Sequence, residues 1–186
     1  MTDSLVIAAW KRIEAWYEAH GIADYLLPGA SASEITELES ELGQTLPDEF
    51  RESLKRHNGS VDSGWPHGDL LSARRIAENW QILTELLEGG DFSESIPDLE
   101  ASDRVRLDWW NRHWVPLDDD FGGNGYVMDL APAPAGSVGQ VFFWDHECGP
   151  SEPEALSISN YLRLSLERLY EEEEEGKFSK MKYPRP

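Results

Sequence analysis

Residues 29–59, GASASEITELESELGQTLPDEFRESLKRHNG, hold two helix starts and two helix stops in close succession. Ser31 and Glu34 fit a capping box, in which hydroxyl and carboxylate satisfy orphan amides reciprocally. Ile35, Leu38 and Leu42 recur at helical spacing, and Gly43 can take the left-handed conformation that ends a helix. Pro47 suits the first turn of a second helix, where its missing N–H costs nothing. Asp48 and Glu49 sit where the helix dipole favours negative charge. Phe50 and Leu54 share a face, and Asn58-Gly59 reads as a cap and turn. The segment constrains architecture and contains no catalytic arrangement.

The same reading extends along the chain. Asp3 or Ser4 can cap a first helix whose stripe is Val6, Trp10, Ile13 and Tyr17, closed by His20-Gly21. Ser72 caps another, with Ile76, Trp80, Leu83 and Leu87 on one stripe and a stop at Gly89-Gly90. Residues 91–103 read as a mobile acidic loop or an irregular insertion. Three strands are then expected, over 114–117, 126–130 and 140–144, with a turn at 118–125. Ser157 caps a last helix through Ile158, Leu162, Leu166 and Leu169. It runs into glutamates 171–175, whose charge opposes the dipole and should fray that end, then into Lys177, Lys180, Lys182 and Arg185. Strands that follow helices predict an α+β fold. We expect one domain over 1–170, with an acidic insertion near 88–108, and a charged tail over 171–186.

Charge narrows the partners. Thirty-six acidic against 16 basic residues leave a net charge of −20. A phosphate backbone or an anionic membrane would be repelled, so direct nucleic-acid and membrane binding are not expected. The balance favours solubility and, if there is a partner, a basic one, because complementary fields speed encounter; on composition alone a solvated acidic surface with no binding role is the stronger reading. Cys148 is the one cysteine, which excludes an internal disulfide and suits a reducing, cytoplasmic setting. The first residues do not read as a signal peptide, so export through one is not expected, and no apolar window of about eighteen residues occurs.

Taken in order, several pieces resemble the SMI1/KNR4 family, also called the SUKH superfamily. They are the Trp10 helix; Pro28-Gly29-Ala30 leading to Glu34-Ile35 and Leu38-Glu39; Leu46-Pro47 with Phe50; and His57-Asn58-Gly59. Later come Trp114-Val115-Pro116, the stretch Gly125-Tyr126-Val127-Met128-Asp129-Leu130, and Gly139-Gln140-Val141. The acidic segment 88–108 departs from the pattern by its length and charge. The resemblance implies a mostly antiparallel sheet flanked by helices. For bacterial members it implies immunity proteins that neutralise toxins, and for fungal members regulatory interaction proteins. It implies no enzyme, and its shared positions are caps, turns and core.

Candidate chemistry is thin. Asp118, Asp119 and Asp120 open a Gly-rich turn that could attract Ca²⁺, but Gly122 stands where a ligand should be and no Glu closes a loop of the required length. His146 and Cys148 could ligate zinc, yet no second cysteine exists. Cys148 as a nucleophile lacks a base and an oxyanion hole in the sequence. His57, His67 and His113 lie far apart; His57 reads as a helix terminator and His113 as a half-buried packing residue. Trp65, in a Trp-Pro-His-Gly loop, is either folded onto the core or an exposed anchor for a partner.

The expectation is therefore a cytoplasmic immunity protein that occludes the basic groove of a cognate toxin, a nuclease suiting best. Its contacts would be Asp118, Asp119, Asp120, Asp145 and Glu147, with Trp65 as anchor. A general regulatory or scaffold interaction module is the alternative, and a metal-dependent enzyme ranks below both. No catalytic residue, metal or cofactor is assigned.

Overall fold

The computed structural model describes residues 3–61, 63–66 and 68–176. His67 and the basic end of the tail lie outside the described residues. Helix α1 (Leu5–Ala19) is capped by Ser4, whose side chain accepts from the Ile7 amide, and it buries Val6, Trp10, Ile13, Trp16 and Tyr17. Both arms of the Ser31–Glu34 capping box open α2 (Ala32–Leu42), and Gly43, at φ 63°, closes it. Helix α3 (Asp48–Arg56) begins one position later than expected, with Pro47 as the cap residue. Ser72 caps α4 (Ala73–Gly89), which Gly90 ends in the left-handed region. Ser157 caps α5 (Ile158–Glu174). Its glutamate end does not fray within that span: Trp16 Nε1 donates to Glu173 Oε2 at 3.2 Å, and His20 Nε2 lies 3.2 Å from Glu173 Oε1.

The main sheet is an antiparallel meander of β2 (Trp114–Pro116), β4 (Gly125–Asp129), β5 (Gln140–Asp145) and β6 (Gly149–Ala155). A short ladder joins β1 (Asp69–Leu70) to β3 (Asp118–Asp119). Strand β6 carries Pro150 and Pro153, and it pairs only with β5. An edge position tolerates missing amide donors, which is why a strand can form through two prolines, in a stretch for which the sequence predicts no element.

Alternation along the strands sends side chains to two cores. Val115, Met128 and Val141 join residues of α1, α2, α3 and α5. Trp114, Val127, Phe142 and Trp144 face the other way, with Val105 and Trp110, and pack against Leu83 and Leu87 of α4. Residues 91–103 take turns and irregular backbone, and contacts in and just after them tie the acidic segment to the sheet. Val105 is fully buried, Arg104 O accepts from Gln140 Nε2 at 2.8 Å, and the Asp98 amide donates to Cys148 O. An apolar side chain within the acidic stretch pins it to the sheet. Among the described residues, no helix is long and apolar enough to cross a membrane.

Candidate functional site

Two of the six expected contact residues point inward. Trp65 has 0% of its surface exposed and Asp118 5%. The tight turn from Trp65 to Gly68 folds the indole between Trp10 and Tyr161, with ring centroids at 5.7 and 6.3 Å. Trp65 Nε1 donates to Tyr161 Oη at 2.8 Å, and Tyr161 Oη donates to Asp118 Oδ2 at 2.5 Å. The Tyr126 amide donates to Asp118 Oδ1 at 2.6 Å. Both residues are thus corrected from surface contacts to members of one buried network. Asp118 reads as a turn residue only until β3 pairs with β1; that pairing holds it inside. A Cβ on Gly68 would lie 2.0 Å from Asp119 O, so the two short strands approach closely because position 68 has no side chain.

Burial pushes the Asp118 carboxyl up to about 6, against hydrogen bonds from Tyr161 and Tyr126 and the charge of Arg168. Burial likewise raises the Tyr161 phenol, with the adjacent Asp118 charge acting in the same direction.

The remaining four carboxylates gather at one end of the main sheet. Asp119 Oδ1 accepts from the Phe121 amide at 2.8 Å, and its Oδ2 lies 3.4 Å from Arg75 Nη2. Asp120 Oδ1 accepts from the amides of Gly122 and Asn124 at 2.7 and 3.0 Å. Burial raises the Asp120 carboxyl, but the bonds from Asn124 and Gly122 and the charge of His146 outweigh it and hold it below its ordinary value. Asp145 Oδ1 accepts from the amides of Glu147 and Cys148 in the β5–β6 turn. The two turns are clasped together: the His146 amide donates to Asn124 Oδ1 at 3.0 Å, and His146 Nδ1 lies 2.8 Å from the same oxygen.

Beside these turns lies a groove of about 410 Å³ between α4 and the sheet. Ile82, Leu83, Trp110, Phe121, Val127 and Trp144 line it. Ile82 and Phe121 stand 57% and 59% exposed. Phe121 adopts φ 64°, and among the described residues only Ser63 shares a positive φ without being glycine. Neither groove residue was singled out from sequence. Ile82 did carry a signal, since it is apolar but falls off the buried stripe of its helix. Phe121 is hidden in a turn whose composition reads as polar.

Other candidates do not assemble a site. Among the described residues no group of three His, Cys, Asp or Glu side chains is placed to hold a metal. Cys148 is exposed, and its hydrogen bond with Asp98 raises the thiol above its ordinary value, which disfavours the thiolate. His57 terminates α3 as expected, with Nε2 2.9 Å from Glu14 and Nδ1 2.8 Å from Leu27 O. His113 is exposed rather than half buried, because its ring reaches out to Gln44 at 2.7 Å.

A helix-flanked antiparallel meander with a groove and carboxylate turns at one end defines an α+β protein. The chain belongs to the SMI1/KNR4 family (SUKH-1), whose model matches residues 29–164. It is 31% identical to the cell wall biosynthesis/cell cycle regulator smi1 of Schizosaccharomyces pombe, over 86% of this chain and 35% of that protein. A glucan synthesis regulatory protein of Neurospora crassa is 25% identical, over 88% of this chain and 38% of its own length. A KNR4/SMI1 homolog of Yarrowia lipolytica is 28% identical, over 86% of this chain and 30% of its own length. The chain thus spans about a third of the length of these fungal relatives. These findings overturn the immunity-protein expectation: relatives matching most of the chain are named as regulators of wall and glucan synthesis.

Proposed function

We propose that this chain is a regulatory protein-interaction module, without chemistry of its own, that works in the cytosol. The observation that carries the reading is its likeness, across most of its length, to proteins named as regulators of cell wall and glucan synthesis. The geometry supports it. The groove is mostly apolar, with Asn79, Asp118, Asp119 and Asn124 also in its lining, and the carboxylates there and nearby are engaged by backbone amides, Tyr161 and Arg75 rather than arranged as acid and base around a reacting centre. The single cysteine, exposed and unbridged, suits a reducing compartment.

The test is a chimera in fission yeast. The matching segment of smi1 is replaced by this chain, and wall glucan is measured. The expected outcome is glucan content restored toward that of cells with intact smi1. Glucan indistinguishable from cells lacking smi1, at equal chimera abundance, would overturn the reading.

A further inference from the structure

We propose that the groove between α4 and the sheet seats a basic segment of a partner protein. One large apolar side chain of that segment enters the groove, and its lysines or arginines meet Asp119, Asp120, Asp145 and Glu147. The proposal rests on the interaction-module reading and names the chemistry of the partner.

Three independent observations point to this occupant. The first is the apolar mouth. Ile82 from α4 and Phe121 from the β3–β4 turn, 39 positions apart in sequence, line one groove and remain more than half exposed. The floor offers nothing polar from its indole there, because Trp144 Nε1 already donates to Trp109 O at 2.6 Å. At about 410 Å³ the groove falls within the range of pockets that enclose small ligands, roughly 300–1,000 Å³.

The second is backbone strain. Phe121 holds φ 64°, a conformation that glycine adopts freely and a phenylalanine does not. Gly122 and Gly123 follow directly, so the turn is already rich in the residue that would remove the strain. The fold tolerates that strain while leaving the ring more than half exposed, and a bound apolar side chain would cover the ring.

The third is charge. Four carboxylates stand on two clasped turns beside the groove. Of the neighbouring cations, Arg75 is paired with Asp69 at 2.8 Å as well as with Asp119, and Arg168 with Glu154 at 2.7 Å. The field at the mouth is therefore negative, within a chain of net charge −20. That charge selects a cationic segment over a second copy of this chain, since two copies would repel.

The experiment is selection of random twelve-residue peptides displayed on phage against the whole chain. The expected winners carry a large apolar residue flanked by lysine or arginine. Their affinity should fall about tenfold or more on Ile82→Asp and on Phe121→Gly, as removal of a central apolar contact does. It should also weaken several-fold as salt rises from about 50 to 300 mM, where screening shortens the reach of the carboxylates. Ile82 is more than half exposed and Phe121→Gly relaxes the turn, so both variants should keep the wild-type fold, checked by circular dichroism and a cooperative unfolding transition. That separates a lost contact from a lost fold. Winners that are acidic or uncharged, no enrichment, or basic winners that bind both variants at full strength would each overturn the groove assignment. None of these would touch the regulatory reading, which stands or falls on the glucan measurement in the chimera. Dimerisation through the groove, seen by sedimentation and abolished by Ile82→Asp, would overturn the choice of partner.

Discussion

Tyr161 Oη and Asp118 Oδ2 are 2.5 Å apart, and this bond ties the last helix to the two-residue strand that pairs with β1. The same hydroxyl accepts from Trp65 Nε1, so one oxygen serves three elements. Remove it, and a buried indole N–H and one oxygen of a buried carboxylate lose this bond, while the other oxygen keeps the Tyr126 amide.

Tyr161→Phe should therefore destabilise the protein by about 2–4 kcal/mol, the usual range for leaving buried polar groups unpaired. Urea unfolding at pH 7 checks this. A loss under about 0.5 kcal/mol would show that water or rearrangement satisfies both groups.

Asp118 sets a pH dependence of definite sign. Its folded value of about 6 lies above the ordinary 3.8, so between those limits the folded chain holds a proton the unfolded chain has released. Stability from this group is complete below about pH 4 and is lost as pH rises through 6, by at most about 3 kcal/mol. Asp118→Asn cannot ionise. Its stability relative to wild type should therefore improve from pH 4 to pH 7, read from paired urea titrations. Parallel profiles would contradict the buried-carboxylate account.

Gly68→Ala tests the approach of β1 to β3. At φ 136° with a Cβ 2.0 Å from Asp119 O, alanine is strained and clashes with backbone. A loss of about 3 kcal/mol or more is expected by thermal or urea unfolding, with the damage centred on β3. A neutral substitution would mean the ladder is looser than this geometry.

Phe121→Gly should act in the opposite direction. It removes a left-handed phenylalanine, worth about 1–2 kcal/mol of strain, and offsets part of that through the greater freedom of the unfolded chain. A net gain of about 0.5–1 kcal/mol is expected in calorimetry. A clear loss would show that the ring packs more tightly than its exposure indicates.

The parts of this fold that the sequence discloses are the local ones. Ser31, Glu34, Gly43, Ser72 and Gly90 act within a few residues of themselves, and each sits where its cap or stop was expected. The family likeness was legible in the same punctuators. Non-local pairing was not. Asp118 looks like turn chemistry until Leu70 is placed across from it. Strand β6 hides behind its prolines, and Trp65 gives no sign of which way its ring folds. The groove lay outside reach for a related reason. Ile82 could be seen as misplaced on its helix, but nothing local to position 82 reveals that Phe121 waits on the other side.

The clasp between Asn124 and His146 has a kinetic meaning. Two hairpin tips that would otherwise sway separately are fastened into one body during folding, so the ordering entropy of that rim is settled before anything arrives. Whatever lands on this end of the sheet meets a finished surface and forfeits only its own freedom.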